Sequence, residues 1–220
     1  AELHRQAQEA YARFCEGIYQ VVFNNATGAR ATLAPETFAL AVFLTCWPIN
    51  QGTDLQFGRY LYSLCHQQNI RQVLTGSDET SRILKRLVAA WITRERDSAV
   101  QMQGMQLALS FDLPELAAVA KQLVENKQAS SYVRAQALSV VAKYGGKKEM
   151  SYIERFLADQ TVVTSYQISK QNKPVVYKCE VRDWALVLLI HLTGQRLRDY
   201  PFPVFQTLNA AVALDPVRSF

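Results

Sequence analysis

The sequence predicts an all-α fold of stacked antiparallel helix pairs, with one small β-hairpin or extended loop inserted near residues 161–179. Three observations predict it. Apolar residues recur at steps of three and four along most of the chain, which is helical periodicity. Turn-forming residues cut that pattern into pieces of helical length. One helical motif recurs at spacings that suit a helix pair. Of the 220 residues, 49% are hydrophobic, enough to bury a continuous core. We read the chain as one helical domain, with divergent helix pairs over 1–96 and clearer repeats over 97–220.

The first helix runs from Leu3 to Phe23, where Tyr11, Phe14, Cys15, Ile18, Tyr19 and Val22 build one apolar stripe. Turn residues from Asn24 to Gly28 end it. Pro35 opens the second helix at a position where a missing N–H costs nothing. Phe38, Val42, Phe43 and Cys46 form its packing face, and Pro48 marks its end. Being apolar almost all round, this helix is expected to be the most enclosed. A third helix covers 53–68 and carries Leu55, Tyr60, Leu61, Leu64 and Cys65. A fourth follows Gly76, with Ser77 or Asp78 as N-cap. Its buried side is Ile83, Leu84, Leu87, Val88 and Trp91, while Arg82, Lys85 and Arg86 occupy another side.

Shorter helices follow. Asp97 opens one that reaches Ser110. Asp112 is expected to cap the next, with Glu115 in the capping-box position, ahead of Leu116, Val119, Ala120 and Leu123. Ser130 or Ser131 starts another, which Gly145-Gly146 stops. Met150, Ile153, Phe156 and Leu157 make a further one, ending near Asp159. From Thr161 to Cys179 the composition turns to Val, Thr, Tyr and Ile, divided by Lys170-Gln171-Asn172-Lys173, which reads as the hairpin. Helix resumes near Glu180 and runs to Thr193, with Gly194 as its stop. Tyr200 to Pro203 is an extended linker, and Phe205 to Leu214 makes a last helix.

The repeated motif is clearest at Val133-Arg134-x-x-Ala137-Leu138, with helix continuing to Gly145. It returns at Val181-Arg182-x-x-Ala185-Leu186, and more weakly at Val100-Gln101 with Gly104-Met105, where the Arg is lost. Over residues 97–200 this pattern resembles the HEAT-like helical repeats also found in the phycobilisome-lyase and related families. The resemblance implies an α-α superhelix in which the small Ala lets two helices approach, Val and Leu fill the seam, and the Arg bonds to neighbouring repeats. It does not imply an activity, because HEAT-like arrays serve as scaffolds, lyase subunits, adaptors and DNA-repair enzymes.

No residue constellation in the sequence carries catalysis. There is no nucleophile elbow, phosphate-cradling loop or dinucleotide fingerprint, and we assign no catalytic, cofactor-binding or metal-binding residues. Of the three histidines, His4, His66 and His191, the latter two lack a second ligand at i+3 or i+4. Cys15, Cys46, Cys65 and Cys179 are too irregularly spaced for a zinc or redox motif. Most read as buried thiols, with a disulfide compatible if the protein is exported. Asp183-Trp184 resembles the carboxylate-plus-aromatic sites of HEAT-like alkylpurine DNA glycosylases. The plainer reading makes Asp183 a helix-terminus charge and Trp184 a core residue.

The longest apolar stretch, Phe38 to Trp47, is about half of what a bilayer crossing needs. The start lacks the pattern of a signal peptide. A first residue of Ala fits both a processed protein and an excised fragment, so a cytoplasmic and an exported location both stay open, as does the oligomeric state. The expected role is a non-enzymatic interaction or scaffold module with a protein partner. Its candidate contact residues are Tyr166, Ile168, Val175 and Tyr177 in the insertion. The alternative is a nucleic-acid-binding HEAT-like protein, a relative of the DNA-repair glycosylases included, acting through the modest basic group of Arg82, Lys85 and Arg86, with Arg94 and Arg96 nearby; a second cationic group, Lys143, Lys147 and Lys148, sits at a helix end. The net charge of +5 selects neither.

Overall fold

A computed structural model describes residues 2–23, 32–46, 55–170 and 173–200. The protein is mostly helical, with one two-stranded antiparallel sheet. Its contacts divide it into two compact units, 1–115 and 116–220.

The first unit holds α1 (Glu2–Phe23), α2 (Pro35–Thr45), α3 (Leu55–Cys65), α4 (Gln68–Thr75), α5 (Glu79–Arg94) and α6 (Ser98–Phe111). On α1 the expected stripe buries Tyr11, Cys15 and Ile18, at steps of four and three. The Tyr11 hydroxyl and the Thr45 Oγ1 share a hydrogen bond of 3.1 Å that joins α1 to α2. Pro35 opens α2 as expected. This helix is not the most enclosed, however. It buries Phe38, Ala41 and Val42, whereas Leu40 and Phe43 are 47% and 44% exposed. All-round apolarity names no face, and this helix covers only one.

The segment α4 departs from the sequence reading, which left 69–76 unassigned. Gln67 is extended and separates α4 from α3. Ile70 and Leu74, one turn apart, are buried. Two amide side chains hold the break: Gln67 Oε1 accepts from the Leu33 N–H at 3.2 Å, and Asn69 donates to the Leu33 carbonyl. Asp78 caps α5 by accepting from the Ser81 N–H. The core side of α5 is Leu84, Val88, Ala89, Trp91 and Ile92. Ile83, expected inside, is half exposed. Asp97 caps α6 through the Ala99 and Val100 N–H groups. Gly104 of α6 lies so close to Ile92 of α5 that a Cβ there would collide with the Ile92 Cγ2.

Asp112 does not open the next helix. It ends α6 in the left-handed conformation, with φ 57°, and its N–H bonds to the Ala108 carbonyl. A 3-10 turn over Pro114–Leu116 then leads into α7, which has no side-chain cap. The capping-box spacing was present, but a short Asp tolerates αL well enough to serve as a helix stop.

The second unit contains α7 (Ala117–Glu125), α8 (Ser131–Gly145), α9 (Met150–Glu154), β1 (Val162–Lys170), β2 (Lys173–Glu180) and α10 (Val181–Leu192). The helix α8 is its spine and buries eight residues between Val133 and Ala142. It packs on α7, on α10 and on the base of β1, and α10 packs on α9 as well. Trp184 is buried, and its indole N–H donates to the Ser139 hydroxyl at 2.8 Å, tying α10 to α8. At the end of α10, Gly194 takes φ 77°. The Gln195 and Gly194 N–H groups bond back to the Ile190 and His191 carbonyls, closing a Schellman motif. The last helix expected from the sequence, 205–214, lies outside the described residues.

Candidate functional site

The insertion forms the expected hairpin, an arm between α9 and α10. Its register pairs Tyr166 with Tyr177 and Ile168 with Val175. Directly opposed residues of an antiparallel pair, and residues two apart on a strand, share a face. All four candidate contact residues therefore occupy register positions on one face of the ribbon, with Thr164 opposite Cys179 nearer the base. The other face carries Ser165, Gln167, Val176 and Lys178, all exposed, and Val176 is 58% so. Alternation of this kind is what a ribbon with one partnered side needs.

The base of the arm is fastened by hydrogen bonds. The Ser131 hydroxyl, at the start of α8, donates to the Val162 carbonyl at 2.6 Å. The first N–H groups of α10, from Val181 and Arg182, donate to the Thr161 and Asp159 carbonyls. Asp159 is the junction. One carboxylate oxygen accepts from the Thr161 N–H and hydroxyl, and the other meets the Arg134 guanidinium at 2.6 Å. Burial pushes the Asp159 carboxyl up, but these bonds outweigh it and hold it below its ordinary value. Arg134, largely buried, also donates to the Val124 carbonyl at the end of α7. The sequence motif signalled Arg134; nothing in the sequence signalled Asp159 as its partner.

At α10, Asp183 accepts from the Glu180 N–H at 2.8 Å within a capping box, and Trp184 is core. Both thus have structural roles, in keeping with the plainer sequence reading. Beside them the Cys179 thiol is pushed up to about 12 by burial and by the Asp183 and Glu180 charges. A thiol so protonated is a poor nucleophile. None of the four cysteines is disulfide-bonded, and burial also pushes the Cys65 and Cys46 thiols up.

The basic candidates lie in the first unit, on α5. Arg82 pairs with Glu79 at 2.5 Å, and Lys85 donates to the Gly76 carbonyl at 3.2 Å. Arg86 is exposed near the half-exposed Ile83. Arg94 donates to the Cys46 carbonyl. The result is a mixed surface in which several cations already serve neighbouring groups. Of the second cationic group, Lys143 lies 5.7 Å from the Tyr144 ring centroid and Lys147 and Lys148 are exposed.

Among the described residues there is no cluster of three or more side chains able to hold a metal ion, and no helix long and apolar enough to cross a membrane. His66 lies edge-on to Tyr62 and tilted against Phe111, at 4.9 and 5.6 Å between centroids. Comparison with known proteins found no matching family model, no similar curated protein and no matching solved structure.

Proposed function

We propose that the protein is a non-enzymatic interaction module that docks a protein partner through the β1–β2 arm. The observation that carries this reading is the register itself. It assigns two tyrosines and two aliphatic residues to one face of a ribbon whose base is bonded to the helices. Two-stranded ribbons are marginal by themselves, so an arm with an apolar face gains most by covering that face. Tyrosines suit the purpose because they are large and can still hydrogen-bond.

We further propose that the helices belong to a HEAT-like array. Support comes from the Val-Arg-x-x-Ala-Leu motif on α8 and α10, from buried Ala137 and Ala185 at matching places, and from Arg134 bonding outward to α7 and Asp159. In such an array the arm is the departure from the repeat, which is where specificity is gained.

The test is recovery of partners from the native source with gentle crosslinking and a nuclease-treated control, using wild type and a variant with Tyr166, Ile168, Val175 and Tyr177 all changed to Ser. A stoichiometric protein that survives nuclease, crosslinks to the arm and is lost from the variant supports the reading. Undiminished recovery by the variant sinks it. Loss of every partner on nuclease treatment would instead favour the nucleic-acid alternative, with binding that falls steeply as salt rises.

A further inference from the structure

The arm's charge is as uneven as its hydrophobicity. Residues 160–179 include Lys170, Lys173 and Lys178 and not one carboxylate. The register sets Lys170 directly opposite Lys173. Like charges opposed across two strands repel one another, and the one carboxylate within the two strands, Glu180, stands at the base of the arm opposite Val162, where it meets Arg182. By alternation this lysine pair falls on the same face as the tyrosine and aliphatic pairs. Three pairs thus follow one another along one face: Tyr166 with Tyr177, Ile168 with Val175, Lys170 with Lys173. Successive same-face pairs stand about 7 Å apart, so the tyrosines and lysines are separated by about 13 Å.

Resting on the reading of the arm as a protein-docking element, we propose that its partner is an acidic protein segment. Its apolar side chains cover the tyrosine and aliphatic pairs, and its carboxylates, some 13 Å further along, neutralise Lys170 and Lys173. The pattern fits a protein segment better than a nucleic acid. The arm has no arginine, the residue whose planar fork best matches phosphate. Its middle pair is aliphatic, and stacking of bases calls for aromatic or planar groups.

The test uses the full chain and fluorescence anisotropy with three labelled probes. One is a twelve-residue peptide with Leu or Val at alternate positions in its first half and Glu at alternate positions in its second. The next has Lys in place of each Glu, and the last is a thymidine oligonucleotide of similar length. Wild type is expected to bind the Glu peptide about tenfold or more tighter than the Lys peptide. The double variant Lys170→Glu/Lys173→Glu is expected to reverse that order, with an unchanged circular-dichroism spectrum. The milder Lys170→Gln/Lys173→Gln is expected to weaken the Glu peptide without favouring the Lys peptide, which covers a failure of the charge-reversed chain to fold. The proposal is overturned if neither peptide binds, if the preference survives charge reversal, or if the oligonucleotide binds tightest. Crosslinks from the arm to a native partner segment without carboxylates would overturn the acidic inference and leave the docking reading standing. Crosslinks that avoid the arm altogether would overturn both.

Discussion

Ser139 is one of the few buried polar side chains among the described residues, and its hydroxyl receives the indole N–H of Trp184. Replacing Ser139 by Ala leaves that donor buried without an acceptor, a loss of about 1–3 kcal/mol. Adding Trp184→Phe removes the stranded donor. The double variant should therefore lose less stability in urea than the two single losses added together, and strict additivity would show that the bond contributes nothing. Gly104 sets two effects of opposite sign against each other. Changing it to Ala gains up to about 1 kcal/mol of helix propensity. The new methyl group, however, collides with the Cγ2 of fully buried, β-branched Ile92, which has little rotamer freedom, and overpacking costs about 1–3 kcal/mol. Gly104→Ala should be net destabilising, and Ile92→Ala should relieve it while Ile92→Val, which keeps both γ carbons, should not. At His66, burial first and the Arg71 charge second hold the imidazolium below its ordinary value. The folded state therefore prefers neutral His66. Its stabilisation is present in full above the unfolded value near 6.5 and declines as pH falls below it toward the folded value. The drop in thermal midpoint between pH 7.5 and 5.5 should be smaller in His66→Gln than in wild type, His4 and His191 being common to both chains.

Elements were legible wherever their ends are chemical and their faces periodic. Asp78, Asp97 and Ser130 cap α5, α6 and α8 through their side chains, and the Val, Thr and Tyr enrichment located the arm. The misses share a cause, which is that a partner far along the chain decides them. The helix α4 is short and begins where Gln67 and Asn69 grip Leu33, a contact no local window contains. The exposed side of α2 is set by what packs against it. For the site, the sequence supplied the four apolar contact residues, but only the register shows that they share a face. The latch at Asp159 was not legible, because Arg134 lies on α8, 25 residues away along the chain, although Thr161 is only two residues on. That latch makes a prediction at this scale. Asp159→Ala strands the largely buried Arg134 guanidinium and frees the base of β1, so it should cost about 1–3 kcal/mol. It should also speed amide exchange across 159–165 more than in the core of α8. The depressed Asp159 carboxyl contributes stability that is present above its ordinary value near 3.9 and lost as pH falls through the folded one. The difference between wild type and variant should accordingly shrink on strong acidification.

Over the whole molecule, the division into 1–115 and 116–220 bears on how energy is distributed. If the proposed repeat architecture holds, stability is close to a sum of local terms and nearest-neighbour terms, and a lesion is felt first where it is made. Two substitutions already argued provide matched lesions, Gly104→Ala in the first unit and Ser139→Ala in the second. Amide hydrogen exchange read by mass spectrometry separates their effects, because protection reports the free energy of the opening that exposes each segment. Ser139→Ala should lower protection of α8 and α10 by about 5- to 150-fold, the ratio that 1–3 kcal/mol implies, and leave α3, α5 and α6 within about twofold of wild type. Gly104→Ala should do the converse, loosening α5 and α6 and sparing α8 and α10. Equal losses in both units from either substitution would mean that the chain opens as one cooperative body. Additivity of local terms would then be the wrong description, and with it the repeat reading would lose its energetic basis. The same experiment also covers the arm. Protection in β1 and β2 should follow the Ser139 lesion, because their base bonds to Ser131 and to the first turn of α10, and it should be indifferent to Gly104.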